Sequence, residues 1–167
     1  MQDLLGDVIE IGSFQGKSTF FLGLAVKYSS NGHLYCIDHF KGNPGKEKFY
    51  QIDKKNLSDL KGNFLRNIKK AFINKYCTLI NQPSYIAHKK IKNKSVRLLF
   101  IDGNHTKNGI TKDLQLFFPK LKKNAIIIFD DYDHKNFKDL FEVVQNFIKL
   151  KKIKKKYVIN KTLIAKI

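Results

Sequence analysis

Val8-Ile9-Glu10-Ile11-Gly12-Ser13-Phe14-Gln15-Gly16-Lys17-Ser18-Thr19 passes from an apolar run into a helical pattern through two glycines, and it begins an alternation that decides the fold. Asp7 to Ile11, Gly32 to Ile37, Tyr76 to Ile80, Val96 to Ile101 and Ala125 to Phe129 are short apolar runs of the kind that form buried parallel strands. Helical patterns fall between them: Ser18 to Tyr28, a broken region from Glu47 to Asn74, a weaker one around Tyr85 to Ile91, and Gly109 to Leu121. Such alternation predicts an α/β fold around a mostly parallel sheet. After Asp131 a helix is expected near Phe137 to Leu150, followed by two β-like runs, Tyr157 to Asn160 and Thr162 to Lys166. Almost no linker separates these two, which requires an antiparallel hairpin and makes seven strands in all. Gly42, Pro44 and Gly45 mark Phe40 to Leu57 as the best candidate for a mobile loop.

The chain has 167 residues, which suits one domain spanning 1–167, and no repeat, linker or low-complexity stretch marks a boundary. Its apolar runs fall far below the roughly 20 residues of a membrane helix. Asp3 and Asp7 precede the first apolar run where a secretory signal would carry basic residues. Cys36 and Cys77 make neither a disulfide framework nor a metal spacing, which fits a reducing, cytoplasmic setting. The formal charge of +18 raises nucleic acid as a partner. Of the 32 basic residues, however, only Arg66 and Arg97 are arginine, the residue that builds forked contacts to phosphates and bases. Lysine, asparagine and isoleucine are enriched together, as in proteins of AT-rich genomes, so a solvated lysine surface is the preferred reading. The run Lys149 to Lys156 follows a helical pattern, and cations suit a helix C-terminus.

Open α/β sheets bind ligands at the carboxyl ends of their strands, which puts a ligand at the Glu10 to Thr19 loop. Gly16-Lys17-Ser18 supplies the tail of a phosphate-binding P-loop, but Gly12 lies one residue too close. The dinucleotide fingerprint fails because position 14 is Phe. What is left is an acid ending the strand, Glu10, and glycines that let backbone approach a ligand. A second acid, Asp38, ends the next apolar run, where a carboxylate can accept both hydroxyls of a ribose. An ordinary turn or helix-cap aspartate is the competing reading for Asp38.

Leu98 to His105 and Ile126 to Tyr132 carry further acids past the ends of the fourth and fifth strands. If those strands are neighbours, Asp102 converges with Asp130 or Asp131. Unpaired carboxylates repel one another and invite a hard divalent cation such as magnesium, calcium or manganese rather than zinc. His105 follows Asp102 by one short turn, within reach of a general-base role at neutral pH. His39, His88 and His134 carry no comparable spacing and are read as surface or loop residues. Tyr132 is open between pocket wall and packing.

Taken together, Glu10-Ile-Gly-x-x-x-Gly-x-Ser-Thr, Ile101-Asp-Gly-x-His with Asp113 downstream, and Ile128-Phe-Asp-Asp-Tyr resemble the class I S-adenosylmethionine-dependent methyltransferases, in the family that includes macrolide-sugar O-methyltransferases and cephalosporin-biosynthesis relatives. The resemblance covers nearly the whole chain. It implies a Rossmann-like fold and a cofactor, S-adenosylmethionine, held by Glu10, Gly12, Ser13, Gly16, Ser18, Asp38, Ser84 and Asp102. It also implies Mg2+ on Asp102, Asp130 and Asp131, with His105 and Asp102 as the catalytic pair acting on a small hydroxylated or sugar-containing acceptor. Two departures stand out. Relatives carry Gly-x-Ser after the third strand, whereas Gln82-Pro83-Ser84 lacks the glycine. The chain also starts almost at its first strand, without the N-terminal helices common in relatives, which leaves a minimal protein, part of something longer and a homo-oligomer all open. A nucleic-acid methyltransferase is disfavoured because Asp102-Gly103-Asn104-His105 stands where base N-methylating enzymes carry Asn/Asp-Pro-Pro-Tyr/Phe. A non-catalytic cofactor-binding domain of a larger assembly is the other rival, and the intact acidic cluster argues against it.

Overall fold

The computed structural model describes residues 4–42 and 59–167. Seven strands form one sheet in the order β3-β2-β1-β4-β5-β7-β6. Strands β1 (Asp7–Ile11), β2 (Leu34–Ile37), β3 (Cys77–Ile80), β4 (Val96–Ile101) and β5 (Leu121–Phe129) run parallel. Strand β7 (Thr162–Lys166) pairs antiparallel with β5 and, through a two-residue turn, with β6 (Lys155–Ile159). Seven strands, a parallel majority and a terminal hairpin are the expected arrangement. β5 begins four residues before Ala125, because Lys122, Lys123 and Asn124 extend it with polar side chains that give no apolar signal.

Helix α1 (Lys17–Ser29) follows β1, and α2 (Leu60–Lys70) precedes β3. Of the broken pattern from Glu47 to Asn74, the described part holds this amphipathic helix, which buries Leu60, Phe64 and Ile68. Positions 43–58, with most of the loop expected to be mobile, lie outside the described residues. The weak pattern after Pro83 is a single turn, α3 (Ser84–Ala87), continued as a 3-10 turn. Helix α4 (Lys107–Phe117) starts earlier than its apolar pattern because Thr106 caps it, its hydroxyl accepting from the Gly109 N–H at 3.2 Å. It ends early because Pro119 cannot continue it. Helix α5 (Lys138–Leu150) precedes the final hairpin.

The apolar residues separate into two cores on opposite sides of the sheet. One joins Ile9, Leu99, Ile101, Ile127 and Phe129 to α4 and α5, and the other joins Val8, Leu34 and Cys36 to α1 and α2. The order places β1 between β2 and β4, so the chain reverses direction across the sheet at β1 and β4 and opens a crevice at their carboxyl ends. No described helix is long and apolar enough to cross a membrane.

Candidate active site

The loop after β1 is stitched to both neighbouring strands: the Gly12 N–H donates to Ile37 O at 2.9 Å, and the Asp102 N–H donates to Ile11 O at 2.8 Å. A Cβ on Gly12 would stand 2.0 Å from the Asp102 carbonyl oxygen, and the residue adopts φ 88. Glycine is therefore required here for both space and conformation. The loop enters α1 through Gly16, whose own Cβ position lies 3.3 Å from the Phe64 ring of α2.

Glu10 is fully buried and turns beneath the loop, where its carboxylate accepts from the Thr19 hydroxyl. Burial pushes its pKa up, partly opposed by hydrogen bonding from Ser18, Thr19 and Ser13. Glu10, Ser13, Gly16 and Ser18 thus form the frame of the loop and lie outside the cavity wall. Asp38 does face the cavity. Its two oxygens accept from the Phe14 N–H at 2.8 Å and the Phe40 N–H at 2.6 Å, tying the first loop to the end of β2.

A cavity of about 800 Å³ spans the crevice, large enough for a cofactor and a modest second ligand. Gly12, Asp38, Ser84, Asp102, His105 and Asp131 all line it. The His105 Nε2 lies 3.5 Å from Asp102 Oδ1, and its ring packs on Phe137 with centroids 4.4 Å apart. One ligand atom from each of Asp102, His105 and Asp131 can be chosen so that all lie within 4.8 Å of one another. Asp130 stands beside this group but directs Oδ1 to the Thr162 hydroxyl at 2.7 Å. Asp102 titrates above its ordinary value, chiefly through burial; His105 opposes the shift, and the charges of Asp130 and Asp131 add to it.

Sequence reasoning gave no role to Asp113, yet it is buried in the cavity wall. Burial drives its pKa up to about 6, against a hydrogen bond from Ser84 that lowers it. His39 and His134, read as loop residues, sit on loops that line the cavity, whereas His88 packs edge-on against Phe117. Tyr132 is packing: it is buried, stacks on Phe141 and is bonded to Gln145. Phe14, Phe40, Lys41, Asn108 and Lys112 also reach the cavity. Tertiary folding alone converges them, since their spacing carries no chemical pattern.

Comparison with known proteins agrees with the fold. No curated protein matches the chain. Among solved structures it is similar to the O-methyltransferase NovP, with 16% identity and a TM-score of 0.75 over 98% of this chain and 72% of that one. It is also similar to CalS11, a TDP-rhamnose 3'-O-methyltransferase of calicheamicin biosynthesis, with 12% identity and a TM-score of 0.67 over 99% of this chain and 73% of that one. At such identities these likenesses establish the fold. A family model described as a methyltransferase domain matches residues 9–132, from the first strand through the acids after β5, and on that match the chain belongs to the methyltransferase-domain family.

Proposed function

We propose that residues 1–167 form one S-adenosylmethionine-dependent O-methyltransferase domain acting on a small hydroxylated acceptor in a reducing, cytoplasmic setting. The observation that carries this reading is the convergence, on one cavity, of a ribose-type carboxylate at the end of β2 with an acid and histidine pair at the end of β4. The backbone cradle at Gly12, which a Cβ would fill, suits the amino-acid end of the cofactor. Asp38, held at the rim of β2, suits the ribose. Ser84 and Tyr85 would then flank the adenine. Bound S-adenosylmethionine supplies a methyl group made electrophilic by its sulfonium.

The remaining work falls to alignment and proton transfer. As general base, His105 would take the proton of the acceptor hydroxyl. Asp102, 3.5 Å from His105 Nε2, stabilises the imidazolium so formed. Asp102 and Asp131 would hold a magnesium-type cation through oxygen, with Asp130 beside them; hard cations prefer oxygen, which leaves the His105 nitrogen for the proton. Such a cation would lower the pKa of the acceptor oxygen. A sugar-containing acceptor is supported by the likeness to CalS11, whose own substrate is a sugar nucleotide. Lys41 and Lys112 on the cavity wall are compatible with negative charge on the acceptor.

Calorimetric titration with S-adenosylhomocysteine tests the reading. The intact chain should bind at micromolar affinity, and Asp38→Ala should weaken binding at least tenfold, about 1.4 kcal/mol. Absence of binding by the intact chain would overturn the proposal.

A further inference from the structure

The cavity lies at the carboxyl ends of the parallel strands, and the opposite end of the sheet has a chemistry of its own. There the strands start, and the helices that return from the crevice stop. The last turn of α1 carries Lys27, that of α2 carries Lys69 and Lys70, and that of α5 carries Lys149. Hydrogen bonds knit the turns at this end into one surface. Lys27 Nζ donates to Phe72 O at 3.5 Å just past α2, Lys122 Nζ donates to Leu5 O at 2.7 Å just before β1, and the Lys94 N–H donates to Pro119 O at 3.2 Å. Beyond them Lys151 lies over the Phe118 ring at 4.5 Å and, with Lys152, Lys154, Lys155 and Lys166, walls a hollow of about 300 Å³.

Charge is segregated to match. Asp38, Asp102, Asp113 and Asp131 lie on the cavity wall, whereas the acid at the strand starts is Asp7, already accepting from the His33 N–H at 3.1 Å. Among the described residues none of these lysines is in an ion pair. Cations at helix C-termini offset the helix dipole, which accounts for Lys69, Lys70 and Lys149. It does not account for Lys155 and Lys166, which stand directly opposite one another in the terminal hairpin, where like charges destabilise. Apolar side chains break through the same surface. Tyr28, Phe72 and Leu150, at 79%, 76% and 75%, are the most exposed large hydrophobic residues of the described chain, and they stand at or just past the C-terminal ends of α1, α2 and α5. A protein layer laid over them would bury lysines that have no acidic partner, at a cost that opposes the apolar contact. An anionic bilayer meets both needs, because its headgroups face the lysines with negative charge and its acyl boundary receives aromatic and leucine side chains. Nucleic acid would meet the charge but favours arginine forks, and here Arg97 is bonded to the Gly6 and Asn31 carbonyls and Arg66 to Asp59.

We propose that the end of the molecule where the strands start is a docking surface for a bilayer rich in anionic lipids, with the lysines against the headgroups and Tyr28, Phe72 and Leu150 reaching between them. The cavity, at the other end of the sheet, then opens away from the bilayer toward water.

Co-sedimentation of the purified chain with lipid vesicles at near-physiological salt tests this. Vesicles of phosphatidylcholine mixed with phosphatidylserine should carry the chain down, and vesicles of phosphatidylcholine alone should not. Lys152→Glu combined with Lys155→Glu should weaken binding to the anionic vesicles at least tenfold. Lys61→Glu combined with Lys161→Glu makes the same charge change at the crevice end and should leave binding within about threefold, because charges far from the bilayer are screened. Phe72→Ser combined with Leu150→Ser should weaken binding about fivefold while keeping its salt dependence. All of these side chains are exposed, so each variant should melt like the parent. Failure to bind the anionic vesicles would overturn the proposal, as would equal losses in the two lysine pairs or full binding by the Phe72 and Leu150 variant. Preferential capture by an RNA duplex when both are present would assign the surface to nucleic acid instead.

Discussion

Asp113 illustrates how far a single residue departs from what its letter suggests. On the chain it is an aspartate in the middle of a helical pattern; in the fold it is buried beside Ser84 and Gly103 at the base of the cavity. Its pKa rises from an ordinary 3.8 to about 6 because burial disfavours the charge, with Ser84 partly opposing. The folded form therefore holds this proton where the unfolded form has released it. Stability falls as pH rises from about 4 to 6, by roughly 3 kcal/mol from this group, and the loss is complete above that window. Asp113→Asn should flatten the melting temperature between those pH values, and thermal scans across the range would check it. An unchanged profile would show that the carboxyl is not held neutral. Asp102 makes the complementary case. Asp102→Ala should abolish turnover while leaving much of the S-adenosylhomocysteine affinity, since Gly12, Asp38 and Ser84 are untouched. Single-turnover assays beside calorimetry would separate the two effects, and full activity in this variant would rule out the acid and histidine pair.

Among the elements, the loop between β1 and α1 depends on packing from a helix nearly fifty residues away. Phe64 of α2 is completely buried, touches the Cβ position of Gly16 and stacks near Phe40 at 5.8 Å. Phe64→Ala should cost about 3 to 5 kcal/mol by leaving a cavity. Because the void opens beneath the loop, denaturant unfolding should show the loss even when ligand is absent. Gly12→Ala acts locally instead. Its Cβ would collide with the Asp102 carbonyl oxygen, pushing the β1 and β4 loops apart. Cofactor affinity should fall by more than tenfold with stability reduced as well; binding at the parent level would show that the loop relaxes freely. Element boundaries were legible where an apolar pattern or a punctuating residue marked them, as at Val96 to Ile101. They were hidden where lysines extended β5 and where a threonine cap began α4.

At the scale of the whole molecule, charge is the dominant global property. A formal +18 on 167 residues means that most charge pairs repel. Among the described residues, the ion pairs within 4 Å are Arg66 with Asp59 and, when protonated, His105 with Asp102. Added salt should screen the repulsion and raise the melting temperature between low and physiological ionic strength. A fall would mean that attractive pairs outweigh it.

From the sequence alone came the strand and helix alternation, the terminal hairpin, and the acids at the ends of strands one, two, four and five. Those signals are local: apolar period, turn chemistry and the position of a carboxylate after a run. Two things were settled only by the tertiary structure. Glu10 and Asp38 look alike on the chain, yet strand twist and the turn of the loop send one under the loop to Thr19 and the other into the cavity. In the same way β4 and β5 alternate evenly, yet only the placement of the helices buries Ile127 and leaves Ile128 half open. A residue's neighbours along the chain set its direction from the backbone, but the elements packed against it decide whether that direction leads to ligand, core or solvent.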